Sequence, residues 1–266
     1  MQKLGRVLAT SLWVRLSTLK VLPLVKSVIS SLRSPSPAAA LCESADPPST
    51  MAQMRKSNPT ETERSMEKII VIFQRYADKE GSAASLNFKE FETFMNTELP
   101  SFTKNQKDPN ILKKMMEAVD GGVDGKKDKE MDFQEFLNLI GGMMVACNDA
   151  LSKAPPTKKN PVPATKPTEM ETAMESIILI FQNYAGKKGD KNQMNYSEFE
   201  GFMKTELKSF TDGQKDPNIV RKLLESVDGS VDGNADRELN FQEFMNLLGG
   251  MMVACHQALL SHLKKK

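Results

Sequence analysis

The sequence predicts an all-α fold of two tandem four-helix domains, on three observations. The chain repeats itself from position 60 onward: Glu135 and Glu243, Cys147 and Cys255, and Ala77 and Ala185 are each 108 residues apart, with no gap. A repeat of that length is one structural unit made twice. Apolar residues recur at helical spacing in four segments of each copy. These segments open on residues that satisfy the free N–H groups of a helix start. The boundaries that follow are a basic extension over 1–58, a first domain over 59–151, a linker over 152–167 and a second domain over 168–266.

The extension differs in composition from the rest. Its first acidic residue is Glu43, while Lys3, Arg6, Arg15, Lys20, Lys26 and Arg33 are interleaved with Leu, Val and Ile. Such a segment reads as a mitochondrial transit peptide, or as an extension that takes no part in the working protein. Arg15 and Lys20 interrupt the apolar stretch that a secretory signal needs. A second possible start, Met51, lies just before the first domain.

The first helix of each copy opens on a capping box, Thr60-x-x-Glu63 and Thr168-x-x-Glu171. Met66, Ile69, Ile70, Phe73 and Tyr76 form its apolar stripe, a pattern that marks a core face or a dimer surface and not a ligand site. Phe91, Phe94, Met95 and Leu99 continue it in the second helix. The third is expected to start at Asp108-Pro109 and Asp216-Pro217, an N-cap followed by proline at the first helical position. The fourth runs from Phe133 to about Leu151. The Pro- and Lys-rich linker suits an extended tether.

The loop before the last helix carries the chemistry. Asp232 to Glu243 reads D-G-N-A-D-R-E-L-N-F-Q-E. Asp232, Asn234 and Asp236 place side-chain oxygens at alternate positions, Glu238 offers its backbone carbonyl, Asn240 acts directly or through water, and Glu243 closes the shell. A tight loop that points alternate oxygens inward is the EF-hand answer to Ca²⁺, a hard ion that takes six to eight of them. Leu239 suits a short strand pairing two such loops. Arg237 stands at the sharp turn where glycine is usual, and so predicts a residue at positive φ. The fold class is thus two EF-hand-pair domains.

A second kind of loop lies between the first two helices, from Ala77 to Glu90 and from Ala185 to Glu198. It has few ligating side chains, and each copy ends in a glutamate followed by Phe.

The whole pattern resembles the S-100 family of small calcium sensors. The residues that carry the resemblance are P-T-E-T-E-R at Pro59–Arg64, F-M-N-T-E-L at Phe94–Leu99 and F-T-K-N-Q-K-D-P at Phe102–Pro109. F-L-N-L-I-G-G at Phe136–Gly142 and Ala146-Cys147 agree, and the second copy repeats the marks as F-M-K-T-E-L and F-M-N-L-L-G-G. The resemblance implies Ca²⁺ at the first loops through the carbonyls of Ala77, Glu80, Ser82 and Ser85 with the Glu90 carboxylate. In the second copy it implies Ala185, Lys188, Asp190, Gln193 and Glu198. Backbone ligands carry little charge, so these sites should be weak. It also implies pairing through first and fourth helices, here as an intrachain pseudo-dimer or a homodimer. The implied partners are amphipathic helices such as annexin amino-terminal segments, docking in a groove that calcium opens, against the alternative of a buffer that binds without opening.

The second loops depart from the family. Aligned from the third helix, Asp120 and Asp228 take the first position, but each loop then holds four residues too many before Glu135 and Glu243. Counting back from the glutamates places it at Asp124 and Asp232. That register restores the twelve-residue geometry and is preferred, with the third helix lengthening by about a turn to absorb the difference. In the first copy it gives Asp124, Asp128, Glu130, Asp132 and Glu135 as ligands and puts Lys126 where an ammonium repels the ion.

Composition narrows the remaining classes. Three unclustered cysteines form neither a disulfide framework nor a zinc knuckle and fit a reducing compartment. That points to the cytoplasm or nucleus, with mitochondrial import the alternative raised by the extension. A net charge of +2 argues for no nucleic-acid partner. No uninterrupted apolar run reaches bilayer length. His256 and His262, with no evident nucleophile or acid beside them, are expected on an exposed helix face, so no enzyme is predicted. Seventeen methionines suit an adaptable binding surface.

Overall fold

A computed structural model describes residues 58–77, 83–120, 128–152, 166–187, 192–212, 214, 216–228 and 235–263. The extension over 1–57, most of the linker and the Lys264–Lys266 tail lie outside them. Both predicted capping boxes form. The Thr60 N–H donates to Glu63 at 3.0 Å and the Glu63 N–H returns to Thr60 Oγ1 at 3.2 Å. Thr168 and Glu171 do the same at 3.1 Å each. From these starts run α1 (Glu61–Ala77) and α6 (Glu169–Tyr184).

The first copy continues with β1 (Ser85–Leu86), α2 (Phe88–Glu98), α3 (Pro100–Thr103), α4 (Ile111–Val119), β2 (Met131–Asp132) and α5 (Phe133–Ser152). The second gives β3 (Gln193–Asn195), α7 (Tyr196–Glu206), α8 (Lys208–Asp212), α9 (Ile219–Val227), β4 (Glu238–Asn240) and α10 (Phe241–Leu263). Helices α4 and α9 begin later than expected. Asp108 and Asp216 cap a turn instead, accepting the N–H of Asn110 at 2.9 Å and of Asn218 at 2.8 Å. The short α3 and α8 fill the hinge, α3 starting on Pro100 where the missing N–H costs nothing.

The described residues divide into two compact units, and the division falls inside α1 and α6. One unit holds Ile72–Glu175; the other holds 58–71 and continues from Ser176. Each therefore includes the opening turns of the other copy's first helix. In the first unit, Thr168 Oγ1 donates to the Glu98 carbonyl, the Ser101 N–H to Glu171 at 3.4 Å, and Arg75 pairs with Glu169 at 3.0 Å. In the second, Thr60 Oγ1 donates to the Glu206 carbonyl, the Ser209 N–H to Glu63 at 3.3 Å, and Ser176 Oγ to Glu61 at 3.0 Å.

Each core centres on four phenylalanines at equivalent positions. Phe136 meets Phe73 and Phe94 at 5.1 Å between ring centroids, and Phe73 meets Phe133 at 4.9 Å. Phe244 meets Phe181 at 5.2 Å and Phe202 at 5.1 Å, and Phe181 meets Phe241 at 5.0 Å. Such tilted and edge-on contacts are the favoured arrangement of ring quadrupoles. The methionines belong to these interiors and not to a surface: every described one, from Met66 to Met252, is buried. His256 is also buried, at 3% exposure, which corrects its assignment to an exposed face. Burial lowers its pKa to about 4, so it is neutral at physiological pH. Cys147 is buried and its thiol is pushed well up by desolvation, while Cys255 is half-buried. Among the described residues one helix, Phe241–Ser261 of α10, has the length and hydropathy of a membrane span, and half of that window is buried inside the protein.

Candidate metal centre

The two loops of each copy are joined by a short antiparallel ladder. Ser85 pairs with Asp132 and Leu86 with Met131; Gln193 pairs with Asn240, Met194 with Leu239 and Asn195 with Glu238. Leu86, Met131, Met194 and Leu239 are fully buried and anchor the ladder on the core. Leu239 thus has the strand role its place in the loop predicted.

Every loop enters its helix through one reciprocal cap. Asn87 Oδ1 accepts the Glu90 N–H at 3.1 Å, and the Glu90 carboxylate accepts the Asn87 N–H at 2.9 Å. Asp132 and Glu135 exchange the same bonds at 2.7 and 3.1 Å, Asn195 and Glu198 at 3.1 and 3.0 Å, and Asn240 and Glu243 at 3.0 and 3.1 Å. All four glutamates are buried, which is rare for a carboxylate without strong partners. Their place in the first turn supplies those partners, because helix N–H groups and the helix dipole favour negative charge there. The four glutamates are thus set in position by backbone bonds. This was missed in the sequence, although N-F-K-E, D-F-Q-E, N-Y-S-E and N-F-Q-E at these positions spell the cap. It also engages one side-chain oxygen each of Asp132 and Asn240, both expected as ligands. Asn240 has a single side-chain oxygen and gives it to the cap, so an ion would share that oxygen or reach it through water.

The turn ahead of each cap is equally regular. Asp128 Oδ1 accepts the Glu130 N–H at 3.0 Å, and Asp236 Oδ1 accepts the Glu238 N–H at 2.9 Å. Arg237 has φ 64° and Lys129 φ 63°, so both copies turn where glycine is usual and carry a side chain in the left-handed region. The two loops of each copy also touch through side chains. Ser85 Oγ bonds to Glu130, and Gln193 Nε2 lies 3.4 Å from Asp236 Oδ2.

The remaining expected site residues divide in two. Ala77 ends α1, and Ala185 follows α6, its N–H reaching the Phe181 carbonyl at 2.8 Å ahead of Gly186 at φ 73°. Ser85 and Gln193 are in the ladder. Glu80, Ser82, Asp124, Lys188, Asp190, Asp232 and Asn234 lie outside the described residues. Helices α4 and α9 end at Val119 and Val227 and do not lengthen. Among the described residues no group of three or more His, Cys, Asp and Glu side chains converges on one point. The donors the loops bring are carboxylates, carbonyls and amides, which fit a hard cation such as Ca²⁺ and not the nitrogen and sulfur preference of zinc.

A family description, the S-100/ICaBP type calcium binding domain, matches residues 62–106 and again 170–214. The chain is 58% identical to protein S100-A11 of Gallus gallus over 103 residues, 39% of this chain and 98% of that relative. The chain belongs to the S-100 calcium-binding family. It is 53% identical to the S100-A11 of Homo sapiens over 103 residues, 39% of this chain and 94% of the relative. To that of Rattus norvegicus it is 53% identical over 92 residues, 35% of this chain and 90% of the relative. Since each relative is covered almost whole by about two-fifths of this chain, the S-100 domain occurs here as a tandem, calgizzarin-like pair. Calcium binding comes with the family.

Proposed function

We propose that this protein is a calcium-responsive adaptor whose two S-100 repeats pair within one chain. The observation that carries the reading is the doubled loop ladder, with a buried glutamate held in position at the start of each following helix. Ca²⁺ would be held by Asp236, Asn240 and Glu243 with the Glu238 carbonyl in the second copy, and by Asp128, Asp132 and Glu135 with the Glu130 carbonyl in the first. Glu90 and Glu198 would close the weaker first loops with the carbonyls of Ala77, Ser85, Ala185 and Gln193. Drawing these groups together reorients α4 and α9 and uncovers apolar side chains now buried, such as Met115, Met116, Leu223 and Leu224. An amphipathic helix, of the annexin amino-terminal kind, would dock in the groove so formed. Fluorescence of a hydrophobic probe should rise on adding Ca²⁺ and fall again when such a peptide is added. Probe fluorescence unchanged by Ca²⁺ favours a buffer and defeats the adaptor.

The pairing of repeats is supported by the capping threonines, since each donates to a carbonyl at the end of the other copy's second helix. The tether from Leu151 to Thr168 spans at most about 55 Å, against about 30 Å for the width of one repeat, and so permits it at high effective concentration. Sedimentation should find one compact particle of single-chain mass. An extended particle with two independently moving domains rules the pairing out.

A further inference from the structure

We infer that the second repeat is built to be completed by a first repeat and not by another second repeat, and that Thr62 makes the choice. The inference rests on the pairing of repeats proposed above and names what directs it. It begins with Glu98 and Glu206, the carboxylates that end α2 and α7 at equivalent positions. Each lies where the start of the other copy's first helix is bonded to the hinge. The main-chain bonds of the two junctions are the same: a capping threonine donates to the glutamate's carbonyl, and Glu171 or Glu63 accepts the N–H of Ser101 or Ser209. A tyrosine of the same repeat also bonds to each carboxylate, Tyr76 to Glu98 at 3.1 Å and Tyr184 to Glu206.

The junctions differ in the second donor. Glu98 is buried, and the Arg75 guanidinium, from α1 of the same repeat, lies 3.4 Å from its Oε1 and 3.0 Å from Glu169. Glu206 has at the place of Arg75 the exposed neutral amide of Asn183, and accepts a bond at 3.2 Å from the Thr62 hydroxyl of the other copy. Thr62 is fully buried, and its counterpart in the second repeat is Met170, whose thioether has no proton to donate. The first repeat thus satisfies its carboxylate from within, while the second borrows a donor. The exposed Arg75–Glu169 pair adds little to the preference, because solvent screens it. The Thr62 bond adds more, since a charged acceptor deprived of its donor away from water carries its desolvation cost. Two second repeats set against each other would offer Glu206 a methionine and an asparagine, whereas two first repeats would lose nothing. The surface around Glu206 therefore fits a first repeat.

The test uses the calcium-free full chain, with melting temperature for the whole and amide hydrogen exchange for each junction. Thr62→Val keeps the shape, removes the donor and gives the first repeat the donorless surface of a second one. It should lower the melting temperature by about 4–8 °C. Exchange of the Ser209 amide should quicken by about tenfold or more, with Ser101 within about twofold of the parent. Adding Asn183→Arg gives Glu206 the donor that Glu98 has, and should recover roughly half or more of both losses. A Thr62→Val chain that matches the parent, a loss shared equally by Ser101, or a loss that Asn183→Arg does not recover overturns the inference and leaves the pairing standing. A parent that sediments as two independently moving domains overturns the pairing and the inference together. If Thr62→Val does not fold, folding regained with Asn183→Arg supports the inference, and continued failure overturns it.

Discussion

Glu243→Gln should abolish the highest-affinity phase of calcium binding, while Glu135→Gln leaves that phase nearly intact. The exchange is clean because glutamine still offers an oxygen to the Asn240 N–H, which the Glu243 carboxylate now accepts at 3.1 Å. The cap survives and the charge is lost. A full charge at ligand distance is worth a few kcal/mol at intermediate dielectric, so its loss costs on the order of a hundredfold or more in affinity. The ranking of the two loops comes from their neighbours. Counting back from the glutamates, the second copy has Asn234 where the first has Lys126, an oxygen donor against a cation. Lys127 and Lys129 add positive charge to the first loop, against Ala235 and Arg237 in the second. Asp132 opposes the trend, with a full negative charge where the second copy has Asn240. Part of that advantage is already committed, because Asp132 Oδ1 accepts the Glu135 N–H at 2.7 Å. A titration in which Glu135→Gln removes the tight phase and Glu243→Gln spares it would reverse the ranking.

The sequence made the helices readable wherever the signal was local. The Thr60 and Thr168 capping boxes, the stripe from Met66 to Tyr76 and the extent of α5 from Phe133 follow from spacing alone, and the structure has them. Errors arose where two local rules competed or the deciding contact was distant. Asp108-Pro109 satisfies the rule for a helix start, yet also builds a turn ahead of Asn110, and the turn prevails, with Lys114 Nζ closing on Asp108 at 2.6 Å. Histidine position and methionine number give no depth: His256 was expected outside and is inside, and the methionines beyond the apolar stripes, whose number suggested an adaptable surface, are inside wherever described. The turn at Arg237 was legible, since its place in the loop demands positive φ whatever the side chain. The bond from Arg237 to Asp228 was not, because nothing in the intervening residues announces a contact across an irregular loop.

Glu175→Gln should stabilise the protein in neutral and alkaline solution and do nothing in acid. Glu175 is buried, and its Oε1 has no hydrogen-bond partner among the described residues. Burial first, and the nearby Glu171 second, raise its pKa from the ordinary 4.5 to about 7. The native protein therefore holds this proton up to about pH 7, while the unfolded chain releases it near 4.5. Across that window the native state binds more protons, so stability falls as pH rises and is flat on either side. Below the unfolded value both states are protonated, and the penalty vanishes. The full cost is about 3 kcal/mol in order of magnitude, equivalent to about 5–10 °C in melting temperature for a protein near this size. Glutamine keeps the shape and cannot ionise, so calcium-free melts at pH 8 should show Glu175→Gln above the parent by that amount, with the two coinciding at pH 4. The first copy supplies the control. Its equivalent residue, Glu67, is exposed, and Glu67→Gln should leave the melting temperature unchanged at both values. A Glu175→Gln curve running parallel to the parent from pH 4 to pH 8 would show that this carboxylate is solvated, and the asymmetry between the copies would then have another source.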